Sequence, residues 1–178
     1  MRVVSGNLRG RRFNPPADFS ARPTTDMAKE NLFNVLNNII DFEQVKVLDL
    51  FSGTGSISYE FVSRGCSDVT SVEQSFKHQR FIAQTVGEFG IKDKVRSIKA
   101  DAFRFVASTT EQYDVIFADP PFDLDKAAQL PDLIVERNIL KPDGFFILEH
   151  AGLGKYNGHK YFKQTRNYGK VNFTFFGL

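Results

Sequence analysis

Four short stretches of this 178-residue chain carry residues able to do chemistry. The first is "VIFADPPFD" (115–123), where an apolar run ends in an acid, two prolines and an aromatic ring. Neither proline has an N–H, so no sheet ladder continues through them, and Asp119 is left at the lip of a strand. The Asp119 carboxylate can accept one N–H of a planar amino group and the carbonyl of Pro120 another. Pro120 and Pro121 hold that geometry, and Phe122 offers a ring face for stacking. The plain alternative is a strand-ending turn, since Asp-Pro pairs often do no more than that.

The second stretch is "DLFSGTGS" (49–56), in which a strand breaks at a glycine pair and opens a helix. Gly53 and Gly55 permit positive φ and close approach of backbone to a ligand. Ser58 stands where a dinucleotide fingerprint has its third glycine, which counts against a nicotinamide cofactor. The third is Glu73, about 20 residues on, where an acid at a strand end can accept both hydroxyls of a ribose. The fourth is "KADAF" (99–103), which puts Asp101 within reach of an adenine amino group and Phe103 against its ring. Each acid taken singly also reads as a helix cap. Their common placement at successive strand ends favours a nucleoside pocket beside Asp119.

The elements that position these residues alternate from residue 45 onward. Strands are expected at 45–51, 68–73, 94–100, 113–119 and 144–150, each a short apolar run. Between them fall helices opening at residue 56, over 75–90 with Phe76, Phe81, Ile82 and Val86 inward, at 102–108, and across 125–137. This alternation predicts right-handed crossovers and a parallel sheet covered on both faces. A helix is expected over 24–40, capped by a threonine or aspartate, with Met27, Leu32, Val35, Leu36 and Ile39 as its apolar face. Before it lies a basic hairpin or arm, residues 1–23, turning at "GNLRG". After residue 158, "KYFKQTRNYGKVNFTFF" reads as two strands around "NYG", closing the sheet with an antiparallel pair. A single domain over 1–178 accounts for all of this.

Composition narrows the classes. Hydrophobic content of 42% and charged content of 25% are ordinary for a globular protein. No apolar run approaches the roughly 18 residues of a membrane span, and "MRVVSGNLRGRRF" lacks a signal-peptide core, so a cytoplasmic setting without membrane is expected. One cysteine excludes an internal disulfide, and three scattered histidines offer no zinc spacing, so no metal is expected. The net charge of +2 hides basic ends around an acidic middle. Residues 1–24 hold Arg2, Arg9, Arg11, Arg12 and Arg22 against Asp18 alone, and residues 151–178 hold five bases and no acid. Such ends suit a polyanion, and the aromatics interleaved in "YFKQTRNYGKVNF" suit a nucleic acid.

At "DLFSGTGS", Glu73, "DAF" and "DPPF", taken in order, the chain resembles a class I S-adenosylmethionine-dependent methyltransferase. "RVVSGNLRGRRF", "RPTTDMAKENLFNVL", "LDLFSGTGSISYEFVSRG", "DPPF" and the terminal "YGK" are similar to the bacterial RsmD family, over nearly the whole chain. That family has alanine and serine where Ser52 and Thr54 stand, and alanine in place of Cys66. The resemblance implies a Rossmann-like α/β fold with a mostly parallel seven-stranded sheet, and methylation of guanine N2 in 16S rRNA. It implies Thr24, Thr25, Asp49, Phe51, Gly53, Gly55, Glu73, Asp101, Ala102 and Phe103 around S-adenosylmethionine, leaving S-adenosylhomocysteine as product. Asp119, Pro120, Pro121 and Phe122 would meet the target base, and Arg9, Arg11, Arg12 and Arg22 the RNA. The partner would be 16S rRNA or the assembled small ribosomal subunit, met by a monomer. Rival readings are a DNA adenine-N6 or cytosine-N4 methyltransferase, a protein glutamine methyltransferase, and a non-catalytic RNA-binding module. The first usually carries a separate target-recognition segment, and the second has asparagine where Asp119 stands.

Overall fold

The computed structural model describes residues 1–19 and 24–178. Seven strands form one sheet: β1 (Lys46–Leu50), β2 (Asp68–Glu73), β3 (Val95–Lys99), β4 (Tyr113–Ala118), β5 (Leu140–His150), β6 (Phe162–Tyr168) and β7 (Val171–Gly177). Their order is β3-β2-β1-β4-β5-β7-β6. The first five run parallel, and β7 inserts antiparallel between β5 and β6. Among the described residues five α-helices cover the sheet: α1 (Asp26–Leu36), α2 (Ser56–Ser63), α3 (Phe76–Phe89), α4 (Ala102–Ser108) and α5 (Leu130–Glu136). The expected α/β architecture and its terminal hairpin are therefore present. None of the described helices is long and apolar enough to cross a membrane.

Strand periodicity divides the core in two. Val47, Val69, Val115, Phe117, Ile147 and Phe173 face α1, α2, α3 and the N-terminal arm. Leu48, Leu50, Val72, Ile116, Leu148 and Phe176 face α4 and α5. Because β1 is central, both faces of its carboxyl end are walled in. That leaves an opening only along the line of strand tips, the usual ligand position in open α/β sheets.

Helix phase departs from expectation at three places. The first helix spans Asp26–Leu36 and buries Ala28, Lys29, Leu32, Phe33 and Leu36. Met27 and Ile39 are 64% and 50% exposed, so neither belongs to the inward face. The apolar stripe runs one position later than the sequence suggested because Lys29 turns inward to a buried carboxylate. Phe76 is 60% exposed at the first turn of α3, with the Lys99 ammonium over its ring. The helix expected across 125–137 is a 3₁₀ turn over Asp125–Gln129 followed by α5, with Pro131 in the first turn, where its missing N–H costs nothing. Finally, β5 starts at Leu140, ahead of the expected 144, with an irregularity in its pairing between Tyr113 and Val115.

The N-terminal arm is fastened rather than loose. An isolated antiparallel bridge joins Arg2 and Arg12. Asn7 N donates to Ser63 O (2.7 Å) and Leu8 N to Ser63 Oγ (2.8 Å). Gly6 lies at φ 80° so close to Ser63 that a Cβ there would meet the Ser63 carbonyl oxygen at 1.8 Å. Farther along, Asp18 pairs with Lys77 and Phe19 stacks on His78 at 4.3 Å.

Candidate active site

The tips of β1, β2, β4 and β5, the start of α4 and the residues leading into α1 surround one cavity of about 770 Å³. That volume is on the scale of a small-molecule or cofactor site. Asp49, Phe51, Gly53, Glu73, Asp101, Ala102, Phe103, Thr24 and Thr25 line it, and so do Asp119, Pro120, Pro121 and Phe122. Of the candidate cofactor residues, Gly55 alone is not on the wall. It sits at φ 80° as the N-cap of α2, and a Cβ there would meet the Tyr59 hydroxyl oxygen at 2.4 Å. Its glycine is demanded by turn and packing, not by approach to a ligand.

The loop after β1 is unusually curled. Phe51, Gly53 and Gly55 all adopt positive φ (57°, 54° and 80°). A left-handed aromatic is costly, by about 1–3 kcal/mol, and persists only where its surroundings hold it. Here the Phe51 ring meets Phe103 edge-on at 6.0 Å, joining the tip of β1 to the start of α4. Glu73 completes the curl. Its Oε2 accepts from Gly53 N (2.9 Å) and its Oε1 from Ser75 N (2.8 Å). A carboxylate has about four lone-pair sites, so each oxygen keeps one for a further donor such as a ribose hydroxyl. Asp101 combines two roles that the sequence left as alternatives. Its Oδ1 accepts from Arg104 N (2.9 Å) as the N-cap of α4, and the residue also lines the cavity. Thr25 likewise caps α1 through Ala28 N (3.2 Å) and faces the cavity.

Two of the cavity's acids hold protons unusually well. Burial pushes Asp49 up to about 7, opposed by the hydroxyl of Ser58, which donates to its Oδ2 at 2.6 Å. Asp119 is held well above the usual carboxylate range by burial and by the neighbouring Glu149 and Asp49, against the pull of Thr24. Thr24 Oγ1 donates to Glu149 Oε2 (2.9 Å). The folded state thus binds the Asp49 proton more tightly than the unfolded chain, whose ordinary value is 3.8. Stability therefore falls as pH rises from about 4 to 7. Asp49→Asn removes that contribution. Its melting temperature should gain on the wild type across this window, as followed by thermal denaturation at several pH values. Parallel curves would mean that Asp49 is ionised throughout.

Glu149 is the residue that the sequence reading missed. It is the penultimate residue of β5, beside Asp119 just past β4, and the signal was present as the acid of "GFFILEH". Lys170, on the turn between β6 and β7, and Lys126, whose ammonium lies 4.4 Å from the centre of the Phe103 ring, also line the cavity. Of the candidate RNA contacts, Arg9 and Arg12 are exposed on the arm. Arg11 is partly committed: Nη2 donates to Glu88 O (2.9 Å) and its guanidinium covers the Phe89 ring at 4.7 Å. Arg22 lies outside the described residues. The described His, Cys, Asp and Glu residues form no cluster that could hold a metal ion.

Residues 1–177 match the family model described as Conserved hypothetical protein 95. A putative rRNA methyltransferase, YlbH, of Bacillus subtilis is 33% identical, covering 84% of this chain and 82% of its own. The ribosomal RNA small subunit methyltransferase D of Haemophilus influenzae is 32% identical, covering 84% and 78%. Among solved structures, a putative methylase of H. influenzae superposes with a TM-score of 0.80 at 26% identity, over 98% of this chain and 96% of that one. A Thermus thermophilus 16S rRNA N2 G1207 methyltransferase, crystallised with AdoMet and guanosine, shares the fold (TM-score 0.70, 24% identity, 89% and 44% covered). The chain belongs to the Conserved hypothetical protein 95 family, the RsmD family that its motifs resemble.

Proposed function

We propose that this RsmD-family chain transfers a methyl group from S-adenosylmethionine to the exocyclic N2 of a guanine in small-subunit rRNA. The observation that carries this reading is the shared cavity: a nucleoside-binding set (Glu73, Asp101, Phe103) and an amino-group acceptor set (Asp119, Pro120, Phe122) line the same walls. The names of its rRNA methyltransferase relatives support the substrate class. The residues fit the cofactor, because Glu73 is fixed at the loop with lone pairs to spare and the cavity has the volume. When bound, S-adenosylmethionine supplies an electrophilic methyl on a cationic sulfur.

The rest is done by the chain. A guanine N2 lone pair is delocalised into the ring, so the amino group is a poor nucleophile. The Asp119 carboxylate and the Pro120 carbonyl accept its two N–H groups and turn the lone pair out of the ring plane. Phe122, 47% exposed, is free to stack on a base that has left its helix, worth about 1–3 kcal/mol. As the new N–C bond forms, one N2 proton leaves, and the raised proton affinity of Asp119 makes it a competent first acceptor. Orientation of this kind can supply up to roughly 7–11 kcal/mol of a barrier.

The test is methyl transfer to naked small-subunit rRNA, assembled small subunit and DNA, followed by nucleoside digestion. N2-methylguanosine from one of the RNA substrates is expected, whereas label on adenine or cytosine of DNA would replace this reading. The exposed arginines give a second expectation. Replacing Arg9 or Arg12 by Gln should reduce the slope of log affinity against log salt by about 0.7–0.9 each, and Arg11 by less because it is held by Glu88 and Phe89. Unchanged filter-binding slopes for Arg9 and Arg12 would place the RNA elsewhere.

A further inference from the structure

Asp119 and Glu149 stand side by side. Ala118 of β4 pairs with Leu148 of β5, so the next residues on these parallel strands are register neighbours, about 5 Å apart. Side chains alternate along a strand, which puts both acids on the face of Phe117 and Ile147. Both line the cavity, at the end where Thr24, Lys170 and Val171 replace the nucleoside-binding residues of β2 and α4. On its other flank Glu149 is paired with Phe173 of β7. One carboxylate suffices to receive an amino N–H, so the mechanism above leaves the second acid unused.

We propose that Glu149 selects guanine by accepting its N1–H while Asp119 accepts from the adjacent N2 amino group. The inference rests on the function proposed above and names the specificity device of the same site. Guanine presents two neighbouring donors on this edge, N1–H and N2–H2, and two carboxylates on adjacent strands offer matching acceptors. Adenine presents a lone pair at N1 beside its amino group and would turn that lone pair against Glu149. The pair therefore attracts one purine and repels the other. Thr24, donating to Oε2, orients the Glu149 carboxylate.

The test uses an RNA fragment spanning the mapped target, with either guanosine or 2-aminopurine riboside at that position. The analogue keeps the 2-amino group but carries a lone pair where guanine has N1–H. The wild-type chain should prefer guanosine in kcat/KM by roughly 10- to 100-fold, the scale of one hydrogen bond to a charged group. Glu149→Ala should lower the guanosine value by a similar factor with little effect on 2-aminopurine. Glu149→Gln, whose amide can donate to the analogue's N1, should move the preference toward 2-aminopurine. Calorimetric binding of S-adenosylhomocysteine, retained in both variants, checks that the site is folded. An unchanged guanosine to 2-aminopurine ratio in both variants would overturn the proposal and leave Glu149 a merely structural partner of Thr24. Wild-type methylation of both bases at equal rates would overturn it alone; absence of any N2 methylation would overturn the underlying function as well.

Discussion

Asp119→Ala should lower kcat by about 10²- to 10⁴-fold while the Kd for S-adenosylhomocysteine changes little. The expectation follows from where the residue stands. In the proposed binding mode the adenine and ribose contacts would come from the tip of β2 and the start of α4, whereas Asp119 follows β4 and lines the cavity with Glu149 and Thr24. Losing its carboxylate removes an acceptor that matters as the amino group becomes nucleophilic, so the transition state suffers more than the cofactor complex. Single-turnover methylation and calorimetric binding separate the two effects; equal losses in both would mark Asp119 as a cofactor ligand or the variant as misfolded. A pH signature accompanies it. Only the ionised carboxylate can take up the proton that leaves N2, and burial with Glu149 and Asp49 alongside holds its pKa well above the usual range. Activity should therefore fall as pH drops through that raised value, and Asp119→Asn should lose this acid limb along with most of its rate.

Glu60→Ala is expected to be the most destabilising single change, by about 3–5 kcal/mol. Glu60 is fully buried on α2, where Oε2 accepts from Val4 N (2.9 Å) and Oε1 from Ser5 N (3.0 Å). Arg64 Nη2 lies 3.0 Å from Oε1 and the Lys29 ammonium 3.8 Å from Oε2. Lys29 is itself buried, donating to Arg2 O (2.8 Å) and to Ser56 Oγ (3.0 Å). Removing the carboxylate takes away the ammonium's buried counter-charge and leaves two backbone N–H groups without their acceptor. For a chain of this length each kcal/mol is worth about 2–4 °C, so the melting temperature should drop by roughly 6–20 °C. A shift under about 3 °C in a thermal melt would show that the arm is not held here. Since Ser56 also lines the cavity, the same variant should loosen that part of its wall.

Much of this was legible in the sequence, and the exceptions have identifiable causes. Acids and glycines at strand ends announce themselves because a parallel sheet turns chain order into a row of neighbouring tips. Glu73, Asp101 and Asp119 could be placed that way, and they line one cavity. Glu149 obeyed the same rule but was hidden inside a fifth strand whose apolar run explained itself. Met27 and Phe76 were misplaced because periodicity gives the width of an apolar stripe, while its phase against the sheet is set by tertiary partners such as the Lys29–Glu60 pair. Gly55 has the composition of a ligand loop, yet Tyr59 comes to lie against it only through the tertiary fold. Glu60 carries no local signal at all: within "SISYEFVS" it reads as an ordinary polar helix position, and its role depends on an arm more than 50 residues away.

The most direct measurement is a crystal structure of the chain with S-adenosylhomocysteine. The ribose hydroxyls should lie on Glu73, the adenine beside Asp101 and Phe103, and the sulfur should face the carboxylate of Asp119 across the cavity. A nucleoside seated away from Glu73, or a sulfur directed away from residue 119, would contradict the account.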